Sequence, residues 1–185
     1  MTLLCDLGWK YKTDKCPQIK HHFTEFYDEM FRNKRDEVKK VVEIGIGNMS
    51  PYFVKGASLY MWQEYFPNAM IYGADINRDL LIKDTRIESL FCDQTKKTDL
   101  NNLIKTVGSD IDLFIDDGLH DPDSQVFTCL TVMPLVSNKT IYVIEDAGQH
   151  SKVINRLGGY DTRVLRRSKI KYNDDRMIIV RHGLF

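Results

Sequence analysis

The chain has 185 residues, the length of one ordinary domain, and its 43% hydrophobic and 28% charged residues are usual for a globular chain with a single core. Lys+Arg and Asp+Glu each number 26, so no excess of positive charge advertises a polyanion, and nucleic acid is disfavoured as a partner. No run approaches the roughly 20 apolar residues of a membrane span, and "MTLLCDLGWKYKTDK" has too short an apolar centre for a secretory signal; no membrane association and a cytoplasmic location are expected.

The amino-terminal "QIKHHFTEFYDEMFRN" (18–33) reads as an amphipathic helix ahead of the sheet. Strand-like runs follow at 41–47, 70–76, 87–93, 111–117 and 141–146, with helical segments at 56–66, 98–107 and 121–133 between them. Runs at 162–170 and 176–183, joined by "KYNDD", read as a closing antiparallel hairpin. The pattern predicts an α/β, Rossmann-like fold: a seven-stranded, mostly parallel sheet with helices on both faces, its first five strands parallel. One domain over 1–185 is expected, with 1–35 as an amino-terminal lid or helix and 40–185 as the core. Trp62, Tyr65 and Phe66 recur at helical spacing and are assigned to the core. Cys5, Cys16, Cys92 and Cys129 lack CxxC spacing and are read as reduced, mostly buried thiols. The N-x-[ST] matches at Asn48 and Asn138 matter only in a secreted chain.

In an open parallel sheet, ligands bind outside the carboxyl ends of the strands where strand order reverses. Those ends carry Glu43 with Gly45 and Gly47, Asp75, Asp93, Asp116 with Asp117, and Glu145 with Asp146. "EIGIG" supplies a G-x-G turn that lets a ligand approach the backbone. The third glycine of a dinucleotide fingerprint is absent, "NMSPYFVKG" standing in its place, so a nucleoside without a pyrophosphate fits better than NAD. A carboxylate at Asp75 can accept hydrogen bonds from both ribose hydroxyls. The rival reading is that these acids cap the helices that follow.

Several motifs in order carry a family resemblance: "LGWKYKTDK" (7–15), "HHFTEFY" (21–27), "GASLYMWQEYFPNAMIYGADI" (56–76), "CDQ" (92–94), "IDDGLHD" (115–121) and "YVIED" (142–146). Over about residues 7 to 146 the chain resembles the metal-dependent, class I S-adenosylmethionine O-methyltransferases of the macrolide-sugar (mycinamicin) type. Lys12 stands where that family usually has glycine, Phe23 where it has tyrosine, and Leu119 where serine is common. The resemblance implies S-adenosylmethionine as cofactor, met by Thr13, Lys15, Glu43, Gly45, Gly47, Ser58, Asp75, Ile76, Asp93 and Gln94, with Asp116 facing its ammonium group. It also implies Asp117, Glu145 and Asp146 as metal ligands, His120 as general base, and "TDK" with His21 and Tyr27 as a lid over the cofactor.

Chemistry gives such a kit a purpose. A free hydroxyl titrates at roughly 15 to 16, and a divalent cation together with a base brings its deprotonation within reach of neutral pH. Oxygen ligands point to magnesium, with manganese as the second choice. Three carboxylates converging without a cation would repel one another. Asp121 followed by Pro122 reads instead as a helix N-cap, a structural role. The basic "RVLRRSKIK" (163–171) reads as a charge-guarded edge strand.

The expected activity is therefore Mg²⁺-assisted methyl transfer to a hydroxyl of a carbohydrate or glycoside. The rivals are an RNA, cap or other small-molecule methyltransferase, an NAD(P)-dependent oxidoreductase, and a cofactor-binding module without catalysis. Little of the chain is left over for an acceptor pocket, which leaves room for a homo-oligomer or a larger polypeptide to complete one.

Overall fold

The structure, a computed structural model, describes residues 1–47, 54–167 and 172–183. Asn48 with the rest of 48–53, and residues 168–171 of the basic run and hairpin, lie outside the described residues.

Eight strands form one sheet among the described residues: β1 (Lys40–Ile44), β2 (Met70–Asp75), β3 (Lys83–Asp84), β4 (Ile87–Phe91), β5 (Leu113–Asp116), β6 (Ile141–Ile144), β7 (Tyr160–Arg166) and β8 (Arg176–His182). Their order is β3-β4-β2-β1-β5-β6-β8-β7. β4, β2, β1, β5 and β6 are parallel, as their sequence pattern predicts. β8 runs antiparallel to both β6 and β7, which forms the expected closing hairpin. The strand beyond the expected seven is β3, two residues paired antiparallel with β4 and too short to show any periodicity.

Alternation along the strands divides the core into two layers. Val41, Ile71, Ile115 and Val143 face α1 (Leu3–Tyr11), α2 (Phe23–Phe31) and α3 (Ala57–Tyr65), where Tyr27, Phe31, Trp62, Tyr65 and Phe66 pack. Val42, Phe114, Tyr142 and Ile178 face α4 (Lys97–Val107), α5 (Pro122–Val132) and α6 (His150–Ile154). Trp62, Tyr65 and Phe66 are fully buried, and all four cysteines are free and buried. Asp121 caps α5, its Oδ1 accepting from the amides of Asp123 at 3.1 Å and Ser124 at 3.0 Å, with Pro122 at the first helical position. No helix among the described residues is long and apolar enough to cross a membrane.

The amino terminus departs from expectation. α1, not foreseen, is capped by the Thr2 side chain. It ends at Lys12 in the left-handed region, φ 62°, a conformation that glycine adopts more readily than lysine. The Lys12 ammonium lies 3.7 Å from the centroid of the Trp9 ring. The expected helix over 18–33 begins only at Phe23, because the preceding residues fold into turns: the His21 amide donates to the Asp14 carbonyl at 2.8 Å and the Thr24 amide to the Lys15 carbonyl at 3.0 Å. α6 is a single short turn that no sequence signal marks.

From β1 the chain builds β2 and β4 on one side, then returns to lay β5 and β6 on the other, so strand order reverses between β1 and β5. There the Asp117 amide donates to the Ile44 carbonyl at 2.9 Å. Gly45 has φ +83°, and a Cβ on it would stand 2.0 Å from the Asp117 carbonyl oxygen. Gly45→Ala combines a disfavoured backbone with that overlap, and a loss of more than about 2 kcal/mol is expected, read as a lower urea midpoint at unchanged slope.

Candidate functional site

A cavity of about 340 Å³ opens at this switch point and is lined by Gly45, Gly47, Asp75, Ile76, Asp93 and Gln94, with Asp117, Gly118 and Leu119 on its far wall. A small adjoining cleft shares Gly45, Gly47 and Asp117 with it and adds Thr13, Lys15 and Ser58. A larger hollow of about 510 Å³, bordered by Lys97, Phe127 and Arg156, lies away from the strand ends and holds none of these groups.

Asp75 is buried and fixed by two amides, Ile46 at 3.1 Å and Asn77 at 2.8 Å. Ile76 and Leu119 expose apolar side chains at the cavity mouth. The carboxylate of Asp93 is engaged locally, accepting from the Thr95 amide at 3.0 Å and hydroxyl at 2.6 Å and pairing with Lys96 at 3.0 Å. The Thr95 and Lys96 contacts hold its pKa below the ordinary value.

Gln94 lines the cavity but spends its amide on structure. Nε2 donates to Asp116 Oδ1 at 3.2 Å and to Thr128 Oγ1 at 3.1 Å, and Oε1 accepts from the Leu119 amide at 2.6 Å. A Cβ at Gly118 would stand 1.8 Å from that Oε1, so a larger residue there would have to displace the Gln94 amide from the loop leading to His120. Asp116 leaves the strand opposite Asp117, as expected, toward the α4–α5 layer, where it is buried and accepts from Tyr142 OH at 3.0 Å. Burial pushes its pKa up to about 7, against the pull of Tyr142 and Gln94. No part of it lines either cavity.

On the other face of the sheet, Glu43, Asp117 and Glu145 meet around one ammonium. Lys15 Nζ lies 3.1 Å from Glu43 Oε1 and 2.5 Å from Asp117 Oδ2, and it donates to Glu145 Oε2. Lys15 is 2% exposed, an ammonium buried among carboxylates. Burial would lower its pKa, but the three carboxylates outweigh burial and hold it well above the usual lysine value. Glu43 also accepts from Trp62 Nε1 at 2.9 Å, and Glu145 from Tyr27 OH at 2.7 Å. Burial raises the pKa of both acids, with Lys15 opposing it. Glu145 thus has a donor on each oxygen, Lys15 on Oε2 and the buried Tyr27 hydroxyl on Oε1.

Asp146 breaks the strand alternation with φ 47°, and its two oxygens look two ways. Oδ2 lies 3.4 Å from His120 Nε2, which is also 3.3 Å from Asp117 Oδ1. Oδ1 lies 3.2 Å from Nε2 of His21, a buried ring stacked on Phe23 with Asp175 Oδ1 3.6 Å from its Nδ1. Asp117, His120 and Asp146 each bring one ligating atom into a group within 4.8 Å, a set able to hold a metal ion; His21, Asp146 and Asp174 form a second such group. The hydrogen bond to Asp117 raises His120 to about 9, with burial opposing. Burial and the Asp117 charge raise Asp146 to about 6.

The structure has Asp75, Asp117, His120 and Asp146 at or just beyond the carboxyl ends of β2, β5 and β6, where the sequence pattern puts them. Sequence reasoning missed what Lys15 does and that Gln94 braces the His120 loop, since both depend on contacts between segments far apart in the chain.

No family model matches the chain. It is 34% identical over 126 residues to an 8-demethyl-8-alpha-L-rhamnosyl tetracenomycin-C 2'-O-methyltransferase of Streptomyces olivaceus, covering 68% of this chain and 33% of that protein. It is 34% identical over 143 residues to a mycinamicin VI 2''-O-methyltransferase of Micromonospora griseorubida, covering 77% and 35%. Among solved structures, the MycE methyltransferase of the mycinamycin biosynthetic pathway, in complex with Mg and SAH, superposes with a TM-score of 0.77 at 25% identity, over 97% of this chain and 54% of that one. The chain spans about a third of the length of the curated relatives it matches. Over two thirds or more of its length the chain is thus related in sequence to these O-methyltransferases, and it has the class I methyltransferase fold.

Proposed function

We propose that the chain transfers a methyl group from S-adenosylmethionine to a hydroxyl of a carbohydrate or glycoside, assisted by a divalent cation, Mg²⁺ in the first instance. The observation that carries this reading is the convergence of Asp117, His120 and Asp146 at the rim of the Gly45–Asp75 cavity. The relatives that share the sequence are sugar O-methyltransferases, and the MycE structure holds Mg and SAH.

The residues present fit both groups. Asp117 and Asp146 each bring a carboxylate oxygen into one group within 4.8 Å, and carboxylate oxygens are the donors a hard cation takes. Asp117 and Asp146 would hold the ion, with Glu145 behind them on Lys15 and Tyr27. When bound, such an ion lowers the pKa of a hydroxyl oxygen it contacts. The cofactor's ribose is assigned to Asp75 and its adenine to the cavity mouth between Ile76 and Leu119, while Thr13 and Ser58 reach the adjoining cleft where the methionine end would lie. Gly45 and Gly47 let the backbone approach it. His120, 46% exposed at the rim, is the group placed to take the hydroxyl proton, and Nε2 is the nitrogen that faces the acids. Its ring is oriented by Asp117, which anchors the loop.

Excess EDTA is expected to abolish methyl transfer to a sugar acceptor, and Mg²⁺ to restore it; full turnover in EDTA would remove the cation from the reading. His120→Ala is expected to lower kcat by about 10²- to 10⁴-fold while S-adenosylhomocysteine still binds by calorimetry.

A second expectation concerns charge. Without a cation His120 titrates near 9, above its ordinary 6.5. Its pairing with Asp117 therefore stabilises the fold fully below about pH 6.5, and the contribution is lost as pH rises through about 9. Imidazole NMR on the EDTA-treated protein checks the value, and adding Mg²⁺ is expected to lower it, because the ion takes over the same carboxylates. A His120 titration at 6.5 in EDTA would contradict the contact with Asp117.

A further inference from the structure

The acids at the ends of β1, β5 and β6 fall into an inner and an outer set. Glu43 and Glu145 are fully buried and face Lys15, whereas Asp146 faces the histidines. Asp117 belongs to both: Oδ2 is 2.5 Å from Lys15 Nζ, and Oδ1 is 3.3 Å from His120 Nε2. An ammonium has three N–H donors that can point to three acceptors from three directions, which a planar guanidinium cannot match. Lys15 lies within ion-pair distance of one carboxylate from each of three neighbouring strand ends and donates to two of them, Asp117 and Glu145. Its backbone is held by the turn that closes on Thr24.

We propose that Lys15 is a permanent, built-in cation of the site, which neutralises the inner acids and, through the carboxylate of Asp117, limits how strongly the outer pair attracts a divalent ion. The inference rests on the reading that a cation binds at Asp117 and Asp146. Buried carboxylates without a counter-charge are strongly destabilising, so the lysine lets the inner acids stay in place when no divalent ion is bound. Once one is bound, the lysine stands as a like charge on the far side of the shared carboxylate. It thereby keeps the site from being over-charged in one state and from holding the ion too tightly in the other.

The test is Mn²⁺ binding at pH 8, followed by electron paramagnetic resonance of the free ion, beside thermal melts in EDTA. Lys15→Met is expected to bind Mn²⁺ more tightly than the parent, by at least about fivefold from loss of the neighbouring charge. It is also expected to melt several degrees lower in EDTA and to recover more on adding Mn²⁺ than the parent does. A packing role alone would leave Mn²⁺ affinity unchanged or weaken it, and either result overturns the proposal. The double variant Lys15→Met/Glu43→Gln removes one charge of each sign and is expected to return toward the parent affinity. Should Lys15→Met fail to fold, the comparison moves to Glu43→Gln against the double variant, where loss of the lysine must again tighten Mn²⁺. A parent chain that binds no Mn²⁺ refutes the cation reading itself, an outcome distinct from a parent that binds while the lysine makes no difference.

Discussion

Strands in a sheet send every second side chain to the same face, and in β1, β5 and β6 that rule brings Glu43, Asp117 and Glu145 to one spot. They cannot gather there unaided, because burial and mutual repulsion both oppose their ionised forms. Lys15 supplies the charge, while Trp62 and Tyr27 supply neutral donors to the oxygens the lysine does not reach. The position of the amino-terminal segment follows from this requirement. α1 and α2 lie on the face of the sheet that holds the acids, and the turns between them bring the ammonium down onto the strand ends.

Much of the fold was legible because it rests on local rules. Five runs rich in β-branched and aromatic residues became the five parallel strands, and the Asp121–Pro122 pair announced the start of α5. Gly45 was recognised from G-x-G spacing, although the reason it must be glycine, the Asp117 carbonyl beside it, lies in a distant strand. The missed elements are those with weak local signals: a two-residue β3, a one-turn α6, and α1 of nine residues, which takes its stability from packing beneath the sheet.

The candidate site divides in the same way. Residue type and strand-end position made Asp75, Asp117, His120 and Asp146 candidates. Which oxygen of a carboxylate faces which partner is a three-dimensional property, and there the reading changed. Asp116 turned to Tyr142 and Gln94, and Glu145 turned to Lys15 and Tyr27. Alternation alone would send Asp146 away from the Glu145 face. Its left-handed backbone sets it at the rim instead, so two adjacent acids serve two levels of one site.

The pairing of Lys15 with Glu145 closes a loop of 130 residues, and the hydrogen bond from the His22 amide to Asp175 closes one of 153. Contacts of such separation form late, since the chain must first lose the entropy of closing those loops. A nascent chain holds Lys15 from the outset yet meets its last acid only when β6 has been made. The ammonium is therefore in the chain before any of the three acids it serves, and the pairing is complete only when β6 has joined the sheet and brought Glu145 beside Asp117.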